Sequence, residues 1–222
     1  IEVEVGVLEA QAYKLNERFI HNMLTARPFV VAKYAMTADG KIAAATGDSK
    51  WVTGDDARED VHEYRHEMDG ILVGIGTVLA DNPSLTTRLV SKEGKNPIRI
   101  VLDSELQTPP TAAIAQTAEA RTIIVTSNEA PAEQAQALFA QGVEIIRVEK
   151  TTDGLDLEAT LDALYEAGIT DILVEGGAGV HASFFRQQLV QKVIIYMAPK
   201  VLGGTNSITP VGGSDAQQMS EA

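Results

Sequence analysis

From Phe29 onward the chain alternates between short, nearly continuous apolar runs and longer stretches in which apolar residues return every third or fourth position. The first pattern belongs to strands buried on both faces, the second to amphipathic helices. Strands are expected at 29–37, near 70–74, 98–102 and 122–126, at 143–148, around Ile172–Val174 and at 192–198. Helices are expected at about 54–67, 131–141 and 156–167, and directly after Gly177. Such alternation predicts an α/β fold, a mainly parallel sheet with helices on both faces. Thr53 with Asp56 makes a capping box for the 54–67 helix, and a short helix-like TVLA at 77–80 is stopped by Asn82-Pro83.

The two ends of the chain read differently. In "VLEAQAYKLNERFIHNML", residues 7–24, Leu8, Ala12, Leu15, Phe19 and Met23 recur at spacings of three and four and predict one amphipathic helix. The preceding "IEVEVGV" alternates like a lone strand with no hairpin partner in reach. The closing "GGTNSITPVGGSDAQQMSEA" is polar, glycine-rich and loop-like. The expected organisation is a remnant strand and connector helix over 1–26, then one main domain over 27–222 whose closing strands are missing.

One stretch combines a strand, a turn and a helix start: "TDILVEGGAGVHASFF", residues 170–185. Gly177, Gly179 and Ala182 fall at GxGxxA spacing, which lets main-chain amides at a helix start approach a phosphate. The same glycines also serve a helix that merely packs closely on its strand. A dinucleotide fold of the Rossmann type needs an acidic residue about 20 positions further on. Val190–Ser214 contains no Asp or Glu, so an ordinary NAD site is disfavoured. A phosphate nest in another α/β fold, or a cofactor without a free 2′-hydroxyl such as NADPH, remains.

Composition narrows the chemistry. The 222 residues, 45% hydrophobic and 22% charged, suit one sizeable core, and no apolar run reaches membrane-spanning length. A formal net charge of −13 argues against nucleic-acid or anionic-membrane partners, so an anionic ligand has to be held by local cations. No cysteine is present, which excludes thiolate metal sites and cysteine nucleophiles and, with no signal sequence, fits a cytoplasmic protein. Of the four histidines only His62 and His66 stand one helical turn apart, in a charged segment that reads as a solvated face; no metal is expected.

Four segments carry more special residues than packing needs. In "VAKYAMTADGKIA", Lys33 interrupts a strand and either faces a cavity or lies on a wet edge. In "GDSKWVTG", Ser49 neighbours the sole tryptophan, Trp51, which either offers a flat face to a planar ring or fills a local gap. In "HEYRHEMDG", Arg65 reads first as surface decoration, paired with Glu63 or Asp69. "GIGTVLADNPSLTTR" supplies hydroxyls and Arg88, suited to bidentate phosphate recognition, and Asp81, a turn cap or a proton relay. Neither a Gly-x-Ser-x-Gly elbow nor a P-loop lysine occurs, which weighs against acyl transfer and NTP hydrolysis.

"KYAMTADGKIA", "GDSKWVTG", "DGILVGIGTVLADNPSLTTR", "PIRIVLDS" and "ILVEGGAGVHASFF" together resemble, in order and spacing, the reductase half of the bacterial bifunctional riboflavin-biosynthesis deaminase-reductases, over about residues 28–213. The resemblance implies a three-layer α/β/α, dihydrofolate-reductase-like fold with a twisted sheet. It implies NADPH-dependent reduction of 5-amino-6-(5-phosphoribosylamino)uracil to the ribitylamino product, a homodimer, and a deaminase half fused upstream. The zinc signature of such a deaminase, His-x-Glu with Pro-Cys-x-x-Cys, does not occur in these residues. Carried over, Ser49, Arg65, Leu85, Arg88 and Glu175 contact substrate, with the two arginines clamping its phosphate. Ala35, Trp51, Thr77, Asp81, Gly177, Ala178, Gly179, Val180, His181, Ala182 and Ser183 contact NADPH, and Lys33 and Asp81 are the catalytic candidates. The rival readings are a non-catalytic module that binds a phosphorylated pyrimidine and a pterin reductase of the same fold; two phosphate-binding arginines count against the latter.

Overall fold

The computed structural model describes residues 2–215 and 217–219. Along the chain run α1 (Glu9–Leu15), α2 (Glu17–Thr25), β1 (Phe29–Thr37), α3 (Asp55–Glu67), β2 (Gly70–Gly74), α4 (Ile75–Asp81), β3 (Ile98–Leu102) and β4 (Thr122–Ser127). They are followed by α5 (Ala132–Phe139), β5 (Glu144–Val148), β6 (Lys150–Thr151), β7 (Gly154–Leu155), α6 (Leu157–Glu166), β8 (Asp171–Gly176), α7 (Ala178–Arg186) and β9 (Lys192–Ala198). Seven strands form one sheet in the order β5-β4-β3-β2-β8-β1-β9. Every neighbouring pair in it is parallel, as the apolar runs predict.

Because strand side chains alternate, the sheet feeds a core on each face. Val30, Leu72, Ile100, Ile123 and Val174 pack with Leu157, Leu161, Leu164 and Phe184 of α6 and α7. On the opposite face Ile71, Val73, Val101 and Ile124 pack with Val78 of α4 and Leu138 of α5, while Val31 and Leu173 meet Met68 and Tyr64 at the end of α3. Arg99 lies wholly within this protein interior. Its guanidinium donates to the carbonyls of Gln116 at 3.0 Å and Ala120 at 2.7 Å, and more distantly to Ser84 and Ala113, both at 3.4 Å. One buried cation thereby ties together loops that have little secondary structure of their own.

Where β2 meets β8 the ladder slips: Leu72 pairs with Val174, but Val73 pairs with Gly176. Glu175 is the extra residue, a bulge in a parallel pair. It places Glu175 on the α3 face beside Lys33, one residue past the Ala32–Val174 pair of β1 and β8.

The ends depart from expectation. The 7–24 helix divides at Asn16, whose backbone leaves the helical region (φ −108°, ψ 18°) and whose side chain donates to the Ala12 carbonyl at 2.8 Å. Asparagine competes with the helix through such local bonds, which an apolar period does not register. Leu15, Phe19 and Met23 are exposed; α2 instead docks through buried Asn22, which donates to the carbonyls of Arg27 and Thr170. The alternating 2–6 segment is not a strand, since no neighbouring strand completes its hydrogen bonds. Nor does Thr53 cap α3: Gly54 is the N-cap and no side-chain cap bond forms. The β6–β7 hairpin is too short to leave a periodic trace in the sequence. Described residues between 201 and 219 carry no strand, matching the loop reading.

Candidate active site

In a parallel sheet all strands end on one side, and clefts form there between the connections. Here β2 and β8, adjacent in the sheet, each run from an Ile-Leu-Val core through glycine into a helix, α4 and α7. The two glycine turns lie close together: a Cβ on Gly74 would stand 2.7 Å from Val180 Cγ2, and the Thr77 hydroxyl abuts Gly176 and Gly177. Gly177 itself has φ 83°, a conformation side chains rarely adopt. Between these turns, β1 and the 42–49 loop opens a crevice of about 760 Å³.

Lys33, Ala35, Ser49, Thr77, Asp81, Glu175 and the turn residues Gly177, Ala178, Gly179, Val180, His181 and Ser183 all line it. A Cβ on Gly179 would meet nothing within 4 Å, so this turn of α7 faces open space. The amides of the first turn of α7 have no acceptor within the helix and stand at the positive end of its dipole. Ala182 is different: it is buried and faces Gly213, away from the crevice. His181, though it lines the crevice, is buried with ring nitrogens 3.0 Å from the Pro210 carbonyl and 3.2 Å from that of Val174. It locks the 208–213 loop against β8.

The crevice floor is ionic. Arg65 of α3 grips Glu175 with both arms of its fork, Nε to Oε1 at 2.7 Å and Nη2 to Oε2 at 2.8 Å, and its Nη1 donates to the Thr86 carbonyl at 3.0 Å. Lys33 Nζ stands 3.7 Å from Glu175 Oε2. Burial raises the Glu175 carboxyl, but Arg65 and then Lys33 outweigh it and hold the group well below the usual carboxylate range. Arg65 is raised above its ordinary value by the same carboxylate against the opposing effect of burial. The surface-decoration reading of Arg65 is thereby overturned, because its partner is a carboxylate only 9% exposed and 110 residues away. Lys33 sits in β1 between β8 and β9, an interior strand, which removes the wet-edge alternative. Behind it, Tyr196 donates to Asp60 Oδ2 at 2.5 Å, and burial with this bond raises its phenol.

Arg65, which meets the crevice only through Glu175, and the remaining expected residues lie outside the crevice lining. Leu85 is 5% exposed, packed in the core at φ 52°, so only its backbone is available to a ligand. Arg88 is exposed, and among the described residues its guanidinium has no hydrogen-bond or ion-pair partner. Trp51 is 64% exposed, which rules out gap filling; the Arg58 guanidinium covers its ring at 4.3 Å. It lines an adjoining cavity with Ser49, Lys41 and Lys200. The solvated-face reading of His62 and His66 fails: both are half-buried and accept backbone N–H groups, of Arg88 at 3.3 Å and Lys95 at 2.8 Å. Sequence reasoning missed Tyr34, Ile75, Gly76 and Asp153 in the crevice wall. The repeated Ile-Leu-Val-to-glycine transition at 71–74 and 172–176 was the available signal for Ile75 and Gly76.

A parallel three-layer sheet with a glycine-walled crevice at its carboxyl edge defines a dihydrofolate-reductase-like domain. Within that class the chain belongs to the RibD C-terminal domain family, whose sequence pattern matches residues 28–221. It is 41% identical over 223 residues to the riboflavin biosynthesis protein RibD of Actinobacillus pleuropneumoniae, covering all of this chain and 58% of that protein. It is 39% identical over 197 residues to the 2,5-diamino-6-ribosylamino-4(3H)-pyrimidinone 5′-phosphate reductase of Methanothermobacter thermautotrophicus, covering 88% of this chain and 89% of that one. The solved diaminohydroxyphosphoribosylaminopyrimidine deaminase/5-amino-6-(5-phosphoribosylamino)uracil reductase of Thermotoga maritima superposes with a TM-score of 0.78 at 38% identity, over 98% of this chain and 58% of that chain. The chain thus spans somewhat over half the length of the RibD relatives it matches.

Proposed function

We propose that this domain reduces the ribosyl side chain of 5-amino-6-(5-phosphoribosylamino)uracil to the ribitylamino product with NADPH, as a step of riboflavin biosynthesis. The observation that carries the reading is the crevice that joins the glycine turn of α7 to Lys33 and Glu175, with Arg65 gripping Glu175 from outside the lining. The open space before Gly179 and the unbonded amides of the first turn of α7 fit a pyrophosphate. Residues 177–180, with Thr77 and Ala35, would hold NADPH, which supplies a hydride when bound.

The rest is done by side chains of this chain. Opening of the ribose ring breaks the C1′–O4′ bond as the proton on nitrogen passes to O4′, which leaves a C1′=N imine and a free 4′-hydroxyl. Hydride added at C1′ and a proton added at nitrogen complete the two-electron reduction. We assign the proton to Lys33 Nζ, on the crevice floor beside Glu175, rather than to Asp81, which is exposed at the end of α4. Glu175, held as a carboxylate, accepts from pyrimidine N–H groups; Arg65, expected to share in the phosphate clamp, instead holds Glu175 in place, since its three guanidinium nitrogens are committed to Glu175 and the Thr86 carbonyl. The open guanidinium of Arg88 takes the phosphate, with the main chain at Leu85 three residues before it, and the Ser49 hydroxyl contacts substrate from the crevice wall.

The exposed β9 row Val193, Ile195 and Met197, at a sheet edge, supports self-association into a homodimer. The fused deaminase half is carried over from the longer relatives.

Mixing the protein with NADPH and the phosphorylated substrate should bleach the nicotinamide absorbance and yield the ribityl product; binding without oxidation would leave the non-catalytic reading. Arg88→Ala should raise the KM for substrate about 10- to 100-fold, the worth of a charge-assisted phosphate contact, while the Kd for NADPH stays put. An unchanged KM would remove Arg88 from the phosphate site.

A further inference from the structure

The loop between α4 and β3 has no helix or strand of its own from 83 to 97, yet it carries Arg88. Its order comes from one face of α3. At positions i, i+3 and i+4 of that helix, His62, Arg65 and His66 each reach the loop main chain: Nδ1 of His62 accepts from Arg88 N at 3.3 Å, Arg65 donates to Thr86 O at 3.0 Å, and Nδ1 of His66 accepts from Lys95 N at 2.8 Å. The loop is also closed on itself by Asn96, which accepts from Thr87 N at 2.9 Å, and is pinned at its start by buried Leu85.

We propose that His62 and His66 are positioning residues whose unprotonated Nδ1 atoms hold the 84–95 loop by its backbone and so set the reach of Arg88 into the substrate phosphate. The part concerning phosphate rests on the function proposed above; the tether itself does not. Both contacts require a ring nitrogen with a free lone pair. A protonated ring would set one N–H against another, and lysine or arginine in these places could not accept at all.

The charges facing His62 are Arg65 on its own helix, Arg88 on the loop, Lys33 of β1 and Glu175 of β8. Burial, then Arg65 and Arg88, push His62 down to about 4 against the opposing pull of Glu175, which keeps it an acceptor at neutral pH. Around His66 the charged groups are those of the loop and the following turn: Lys95, whose Nζ is 3.4 Å from Asp69 Oδ1, and Lys92, 2.8 Å from Glu63 Oε2. A released His62 regains an ordinary value near 6.5, so the tether is at full strength above that pH. Below it, the contact weakens by up to about ten-fold per pH unit until the held ring itself takes a proton.

The test compares wild type with His62→Ala, His66→Ala and His62→Asn, all checked for folding by circular dichroism. Asparagine is the informative rescue, because its Oδ1 lies close to where Nδ1 stood and does not titrate. In hydrogen exchange without ligands, amides of the 84–96 segment should exchange about ten-fold faster in the alanine variants and at the wild-type rate in His62→Asn. In kinetics, His62→Ala should raise the KM for the phosphorylated substrate about ten-fold with kcat within about two-fold. The wild-type KM should climb more steeply between pH 6.5 and 5 than that of His62→Asn, which carries only the change from protonation of the substrate phosphate itself. Unchanged exchange in both alanine variants would overturn the tether. Faster exchange with an unmoved KM, in a protein where Arg88→Ala does raise KM, would overturn the positioning role. If Arg88→Ala were also silent, the fault would lie in the phosphate assignment, and the tether would stand on the exchange result alone.

Discussion

At the residue scale the site depends on one carboxylate with two cations around it. Glu175 has no stability to offer as a neutral acid, because Arg65 would then be left buried without its counter-charge. Its folded value lies below the ordinary one, so the pair contributes fully above about pH 4.5 and progressively less as pH falls through that range. Glu175→Gln should cost about 3 kcal/mol at pH 7 and flatten the acid limb of the stability curve, both read from urea midpoints at pH 7 and at pH 4. An equal loss at the two pH values would point to packing rather than charge. Neither this pair nor the histidine contacts were legible beforehand: Arg65 and Glu175 are 110 positions apart, and local spacing offered Glu63 and Asp69 instead.

At the element scale the sequence was far more readable. Strands buried on both faces have to be continuous apolar runs, so β1 to β4 and β8 appear in the chain as themselves, and β9 reads as a strand through its apolar run although one of its faces is exposed. The glycine turn after β8 was equally visible, because a φ of 83° leaves few residues to choose from. What failed were places where a polar side chain overrides a period, as Asn16 does between α1 and α2, and pieces as short as β6 and β7. The open space before Gly179 gives a direct test of the turn. Gly179→Ala introduces a Cβ with nothing within 4 Å beyond its own helix and chain neighbours, so the melting temperature should move by only a few degrees, as expected for about 1 kcal/mol of helix propensity or less. NADPH affinity, measured by fluorescence titration, should fall at least ten-fold if main-chain amides carry the pyrophosphate.

For the whole molecule, the sheet order leaves β5 and β9 at the edges, and β9 presents Val193, Ile195 and Met197 at 43%, 46% and 62% exposure. Ile195→Lys should halve the mass seen by light scattering if that edge joins two copies; an unaltered mass would send the search for the contact elsewhere. The charge of −13 is consistent with this edge, whose exposed side chains between Lys192 and Ala198 include no acid to repel a second copy. The slip at Glu175 has a different reach. Since β8 holds one more residue than β2 needs, excising position 175, as opposed to substituting it, would let the two strands zip without a fault. Everything downstream would then advance by one place, turning the α7 entrance relative to α4. A protein shortened in this way should gain a more regular sheet but lose the counter-charge of Arg65, and so be less stable, with the two glycine turns misaligned at the proposed NADPH cradle; the irregularity is part of what phases those turns against each other.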